Sequence, residues 1–210
     1  MKMNKKYAGI VVGIAIALAS APTYAQLGGL AGSLLGGKNS NSTSKSISAE
    51  NIVKKYVDGS KDVMTADVHL LNALGLKEQA AKEELAAKNL TEGATASGLE
   101  DAVAIQTESS KALAEKMNEE KVVMDDKSKK TYTKGLLYLA KGMLKYKGLT
   151  SDVKSYTPSV SSIGTAGNSA LYIVKSLPTS SKNLYETLKK AVSFARENKI
   201  EVPKEATSLL

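Results

Sequence analysis

From Ser48 onward the apolar residues of this chain return every three or four positions, and no run alternates with polar residues long enough to make a strand. That periodicity restricts the fold more than any other feature, because it leaves only helices to bury apolar surface. The first helix carries Ile52, Tyr56, Val63, Leu70 and Leu74 on one row, with Val53, Val57, Met64 and Leu71 beside them. Gly75 is its expected stop. Residues 76–90, LKEQAAKEELAAKNL, are almost all strong helix formers. Ser97 and Glu100 have the spacing of a capping box at the start of a third helix, with Leu99, Val103, Leu113 and Met117 as its stripe.

A fourth helix is expected from Ser128 to Lys147, ending at Gly148. Thr157 and Pro158 predict the start of a fifth, which Pro178 should end. A sixth is expected from Ser181, with Leu184, Leu188, Ala191 and Ala195 on one face. The segment KIEVPKEATSLL reads as an extended tail. No internal repeat of solenoid length is present. The expected fold is all-α, a single bundle of five to six amphipathic helices over residues 48–200, with 201–210 as a C-terminal tail.

The first 25 residues have a different character. Lys2, Lys5 and Lys6 precede a short apolar stretch, and Thr23-Tyr24-Ala25 is a suitable cleavage site. These are the three parts of a secretory signal peptide, with cleavage expected near Ala25. The formal net charge of +8 would fall by these three lysines to +5, since the segment has no acidic residue. The chain has no cysteine, which excludes disulfides, thiolate metal sites, a cysteine nucleophile and a lipid-modified cysteine. The expected location is periplasmic or secreted, in a bacterial envelope.

Residues 26–47 combine a Leu/Gly-rich peptide, QLGGLAGSLLGG, with a polar flexible linker. Gly28, Gly32 and Gly36 repeat every fourth residue, opposite Leu27, Leu30, Leu34 and Leu35 in a helical projection. Small residues at this spacing permit close helix approach. The five glycines would remove roughly 4–5 kcal/mol of helix stability relative to alanine. The peptide therefore needs a surface to order against: the bundle, a second copy, a lipid surface or a partner.

Within the bundle the fourth helix stands out. Lys127, Lys130, Lys134, Lys141 and Lys145 project onto one arc, and Tyr132, Leu136, Leu139, Ala140 and Met143 onto the other. A basic amphipathic helix of this kind suits anionic lipid, an acidic partner or a polyanionic glycan. Nucleic acid is a poor match, because Arg196 is the only arginine, Phe194 the only phenylalanine, and tryptophan is absent. In the fifth helix Ser162, Ala166 and Ala170 lie four apart, a spacing for tight helix packing or self-association.

No catalytic, cofactor or metal motif emerges. The single histidine, His69, shares a helical face with Asp62, Thr65 and Asn72, the one constellation an enzyme could use. Adjacent acids such as Glu83–Glu84, Glu119–Glu120 and Asp125–Asp126 read as solvated surface. The leading expectation is an exported helical binding protein, contacting a protein or anionic envelope component through the N-terminal peptide and the lysine face. A membrane-active or lipid-binding protein, inserting the fourth and fifth helices, is the alternative. A helical enzyme built around His69 is the second.

Overall fold

The computed structural model describes residues 47–119, 122–158 and 164–210, all within one unit running from Lys45 to Leu210. Among these residues there are six helices and no strand: α1 (Ala49–Ala73), α2 (Lys77–Asn89), α3 (Ala96–Met117), α4 (Asp126–Val153), α5 (Thr165–Glu197) and α6 (Lys204–Thr207). The all-α bundle expected from the periodicity is present. The expected signal peptide, and residues 26–46 of the Leu/Gly-rich peptide and linker, lie outside the described residues.

The two start and stop signals flanking α1 act as expected. Ser48 takes an extended conformation, and its side chain accepts from the Asn51 amide at 3.3 Å. At the other end Gly75 adopts φ +81, and the Leu76 amide donates back to the Leu71 carbonyl at 2.8 Å. This closes the carbonyls of the last turn in the usual glycine-terminated way. The chain then reverses into α2.

α1 and α4 form the most extensive pair, and glycines set their separation. A Cβ added to Gly142 of α4 would stand 2.5 Å from Val63 Cγ2 and 3.2 Å from the Gly59 carbonyl oxygen. One at Gly135 would stand 2.7 Å from the Leu70 side chain. The rest of this interface is aromatic: Tyr56 and Tyr146 stack with ring centroids 5.3 Å apart, and the Tyr146 hydroxyl shares a 2.8 Å hydrogen bond with Ser60 Oγ. Close approach at small residues therefore joins the first and fourth helices.

α5 runs antiparallel to α4 along its second half, where the Tyr132 hydroxyl donates to the Ala191 carbonyl at 3.1 Å and packs on Phe194. Its first half turns to the α2–α3 side, where Ser169 Oγ donates to the Ala94 carbonyl at 2.8 Å.

Several expected boundaries are corrected. Thr95, not Ser97, caps α3; its side chain accepts from the Gly98 amide at 3.1 Å, and Ser97 lies exposed in the first turn. α4 starts two residues earlier, capped by Asp125 at 2.7 Å from the Ser128 amide. It also continues through Gly148, because Leu149 just beyond is buried and anchors the next turn.

Thr157 and Pro158 are themselves outside any helix, and the expected helix start after them falls on residues 159–163, outside the described residues; α5 begins at Thr165, with Gly164 as its cap. The expected fifth and sixth helices are one helix that passes through Pro178. Ile173, Leu177, Leu184, Leu188 and Ala191 remain buried on one face across it, while Pro178 itself is exposed. Continuous burial offsets the missing backbone bond, whose removal from a helix interior costs about 3 kcal/mol. Pro178→Ala restores that bond at an exposed position and is expected to raise stability by about 1–2 kcal/mol after the unfolded-state entropy it returns. Chemical denaturation of the two forms checks this.

The C-terminal segment is not wholly extended. Ile200 and Ala206 are buried, α6 forms around the latter, and Thr133 Oγ1 donates to the Glu201 carbonyl at 2.9 Å.

Candidate binding surface

The outer face of α4 is where the sequence placed the charge, and Lys127, Lys130, Lys134, Lys141 and Lys145 are all exposed there. They are not equivalent. Lys145 pairs with Asp62 of α1 at 2.7 Å and donates to the Asp58 carbonyl at 3.2 Å. Lys141 lies 4.9 Å above the Tyr138 ring, a cation–π contact. Lys127, Lys130 and Lys134 make no ion pair among the described residues, so on this arc the unengaged charge lies at the start of the helix.

Asp125 and Asp126 sit at the N-terminal end of that face. The Ser128 hydrogen bonds hold the Asp125 carboxyl below its ordinary value, so it remains the charged cap of the helix.

His69 belongs to the same surface. Its ring stacks on Tyr138 at 5.6 Å between centroids. Partial burial, with Lys134 nearby, lowers its pKa and favours the neutral ring. Asp62 is engaged by Lys145, Thr65 Oγ1 donates to the Lys61 carbonyl, and Asn72 Nδ2 donates to the Val68 carbonyl. Asp62, Thr65 and Asn72 are thus each turned to a lysine or to their own helix.

The interior holds two acids that the sequence reading did not place there. Asp67 of α1 is buried with neither carboxylate oxygen hydrogen-bonded. Glu83 of α2, expected on the surface beside Glu84, is fully buried; Ser109 Oγ of α3 donates to its Oε2 at 2.6 Å, and Oε1 has no partner. The two residues stand at matching distances on either side of the Gly75 turn, which brings them to one level of the α1–α2 hairpin.

Burial raises the Asp67 carboxyl well above its ordinary range, and Glu83 adds to this. Burial likewise pushes Glu83 up to about 7, against the opposing Ser109 hydrogen bond and with help from Glu108. Among the described residues no three acidic or imidazole side chains gather as a metal site. Helical spacing alone could have flagged Asp67, since it falls on the row of Ser60, Val63 and Leu70.

The remaining candidates divide. Ala170 of α5 is buried and Ala166 half-buried. Ser162 and the N-terminal set Leu27, Gly28, Leu30, Gly32, Leu34, Leu35 and Gly36 lie outside the described residues. No helix among the described residues is long and apolar enough to cross a membrane. Compared with known proteins, the chain matches no protein-family model, no curated protein and no solved structure.

Proposed function

We propose that the chain is an exported binding protein of the bacterial envelope, with a helical body that presents a lysine face to an anionic envelope component or acidic protein. The observation that carries the reading is the trio Lys127, Lys130 and Lys134, exposed and without ion pairs among the described residues on one face of a 28-residue helix. Lysines without local counter-ions contribute attraction at a distance rather than fold stability, because exposed pairs are worth little and solvated charges less. The Leu/Gly-rich peptide at 26–37 acts as a second contact, tethered by its polar linker at high local concentration.

The test is flotation of residues 26–210, residues 47–210 and the K127E/K130E/K134E variant with neutral and anionic liposomes. Near an anionic surface each lysine is worth about 1 kcal/mol, so the triple variant should partition roughly a hundredfold less while keeping its helical circular dichroism. Salt should release the wild type, since the charges are exposed. Flotation that survives both high salt and charge reversal but disappears in 47–210 assigns the contact to the N-terminal peptide. No flotation of any form directs the search to an acidic protein.

A further inference from the structure

α4 has a second set of lysines that does not lie on the outer arc. The stripe Leu136, Ala140 and Met143 continues at the same three- and four-residue spacing into Lys147, Thr150 and Lys154. In the first half of the helix this stripe faces α5. In the second half α5 has turned away toward α2 and α3, as the Ser169–Ala94 hydrogen bond shows. The two helices diverge, and a cleft of about 360 Å³ opens between them, at the lower end of the range for small-molecule sites.

Its floor is Met143 and the buried ring of Tyr146. Lys147 and Lys154 stand exposed at its edge, and neither makes an ion pair among the described residues. The one acid between them, Asp152, is taken by Lys55 at 2.7 Å. From α5 the cleft receives Ser181, whose buried Oγ has no hydrogen-bond partner. Thr150 Oγ1 already donates to the Tyr146 carbonyl, the Tyr146 hydroxyl is shared with Ser60 and Ser151 is exposed to solvent, so Ser181 is the buried hydroxyl of the lining with a proton to offer. A buried unpaired hydroxyl, two cations and an apolar floor call for a ligand with an acceptor head and a short apolar body.

We infer that the α4–α5 cleft binds a single-chain anionic amphiphile, its head held by Lys147, Lys154 and Ser181 and its tail laid over Met143 and Tyr146. The volume is that of one short chain. This site is separate from the outer lysine face, and the variants that test the two share no residue.

Dodecanoate, titrated below its micelle threshold into the full 210-residue chain by calorimetry, is expected to bind saturably with one site of this kind. K147E/K154E should weaken that binding about tenfold or more, because two exposed attractions become repulsions. K127E/K130E should leave it unchanged, and dodecanol should bind the wild type more weakly than dodecanoate does. Ser181→Ala should weaken it by a smaller factor. Should the double reversal disturb the fold, K147Q/K154Q keeps the test intact. Unsaturable uptake, equal affinity in K147E/K154E, or recognition of anionic vesicles without free dodecanoate would each overturn the inference.

Discussion

Gly142→Ala is expected to lower the melting temperature, whereas Gly148→Ala in the same helix raises it. Alanine is intrinsically the better helix former by roughly 1 kcal/mol at either position, so any difference between them is tertiary. At Gly148 an added Cβ meets nothing within 4 Å, and the intrinsic gain is realised in full. At Gly142 it meets Val63 Cγ2 at 2.5 Å, the Val63 amide nitrogen at 3.1 Å and the Gly59 carbonyl oxygen at 3.2 Å.

Two of those three atoms are backbone, which no rotamer change can move, and Val63 is β-branched with little freedom at χ1. Relief therefore requires α1 and α4 to separate. Overpacking of this kind costs about 3 kcal/mol, which exceeds the intrinsic gain and leaves a net loss of roughly 2 kcal/mol. For a folded body of this size that is a drop of about 4–8 °C. Gly135→Ala should behave alike, since its Cβ would meet the fully buried Leu70 side chain at 2.7 Å and the Ala66 carbonyl oxygen at 3.2 Å. Thermal melts of the three variants side by side decide the matter; equal stability of Gly142→Ala and Gly148→Ala would remove close glycine packing as the determinant of this interface.

The contrast between those two glycines also explains what was legible in the sequence. Periodicity identified the core: Ile52, Tyr56, Val63, Leu70, Leu136, Leu139, Leu184 and Leu188 are all buried. Boundaries were harder because a stop signal is only a local cost. Gly148 and Pro178 carry penalties of roughly 1 and 3 kcal/mol, and the buried side chains that follow each of them outweigh the penalty. The end of α5 lacks the usual signal altogether, since Lys199 takes the left-handed conformation at φ 54 that glycine normally supplies.

At the surface, five lysines on one arc were visible from spacing alone. Their unequal availability was not, because Asp62 reaches Lys145 from a different helix. The cleft around Lys147 and Lys154 was equally hidden: it exists only where α5 departs from α4. Glu83 was read with Glu84 as a solvated pair, yet adjacent positions on a helix point in different directions, and here one faces Ser109 and the other Lys88.

That buried glutamate gives the second large effect. Between about pH 4.5, the ordinary value for a glutamate, and about 7, its value in the folded protein, the native state holds a proton that the unfolded chain has released. Stability must therefore fall as pH rises through this window and level off above it. For Glu83 the loss is about 3 kcal/mol. Asp67, raised in the same direction by burial and by Glu83, adds to it. The groups facing the pair give little relief: Ser109 supplies one hydrogen bond, while Glu108 and the Tyr146 hydroxyl bring no positive charge.

Carboxyls with lowered values, such as Glu84 beside Lys88 and Asp125 at its cap, act in the opposite sense, but only as pH falls through the acidic range. The two windows do not overlap, but His69, held low by burial and Lys134, opposes the buried acids between pH 5 and 8, because the unfolded chain binds its proton more tightly. The difference between wild type and Glu83→Gln, in which His69 cancels, reports Glu83. Glu83→Gln keeps an oxygen for Ser109 and places an amide donor at the level of the unpaired Asp67 oxygens, without a charge to bury. Urea denaturation should show the wild type losing stability from pH 5 to 8. The variant should match it near pH 5, decline less, and exceed it by about 3 kcal/mol at pH 8. The same slope in both proteins would mean that the Glu83 carboxyl reaches solvent in the folded state. A steep profile that Glu83→Gln only halves would assign the remainder to Asp67, and Asp67→Asn should then remove it.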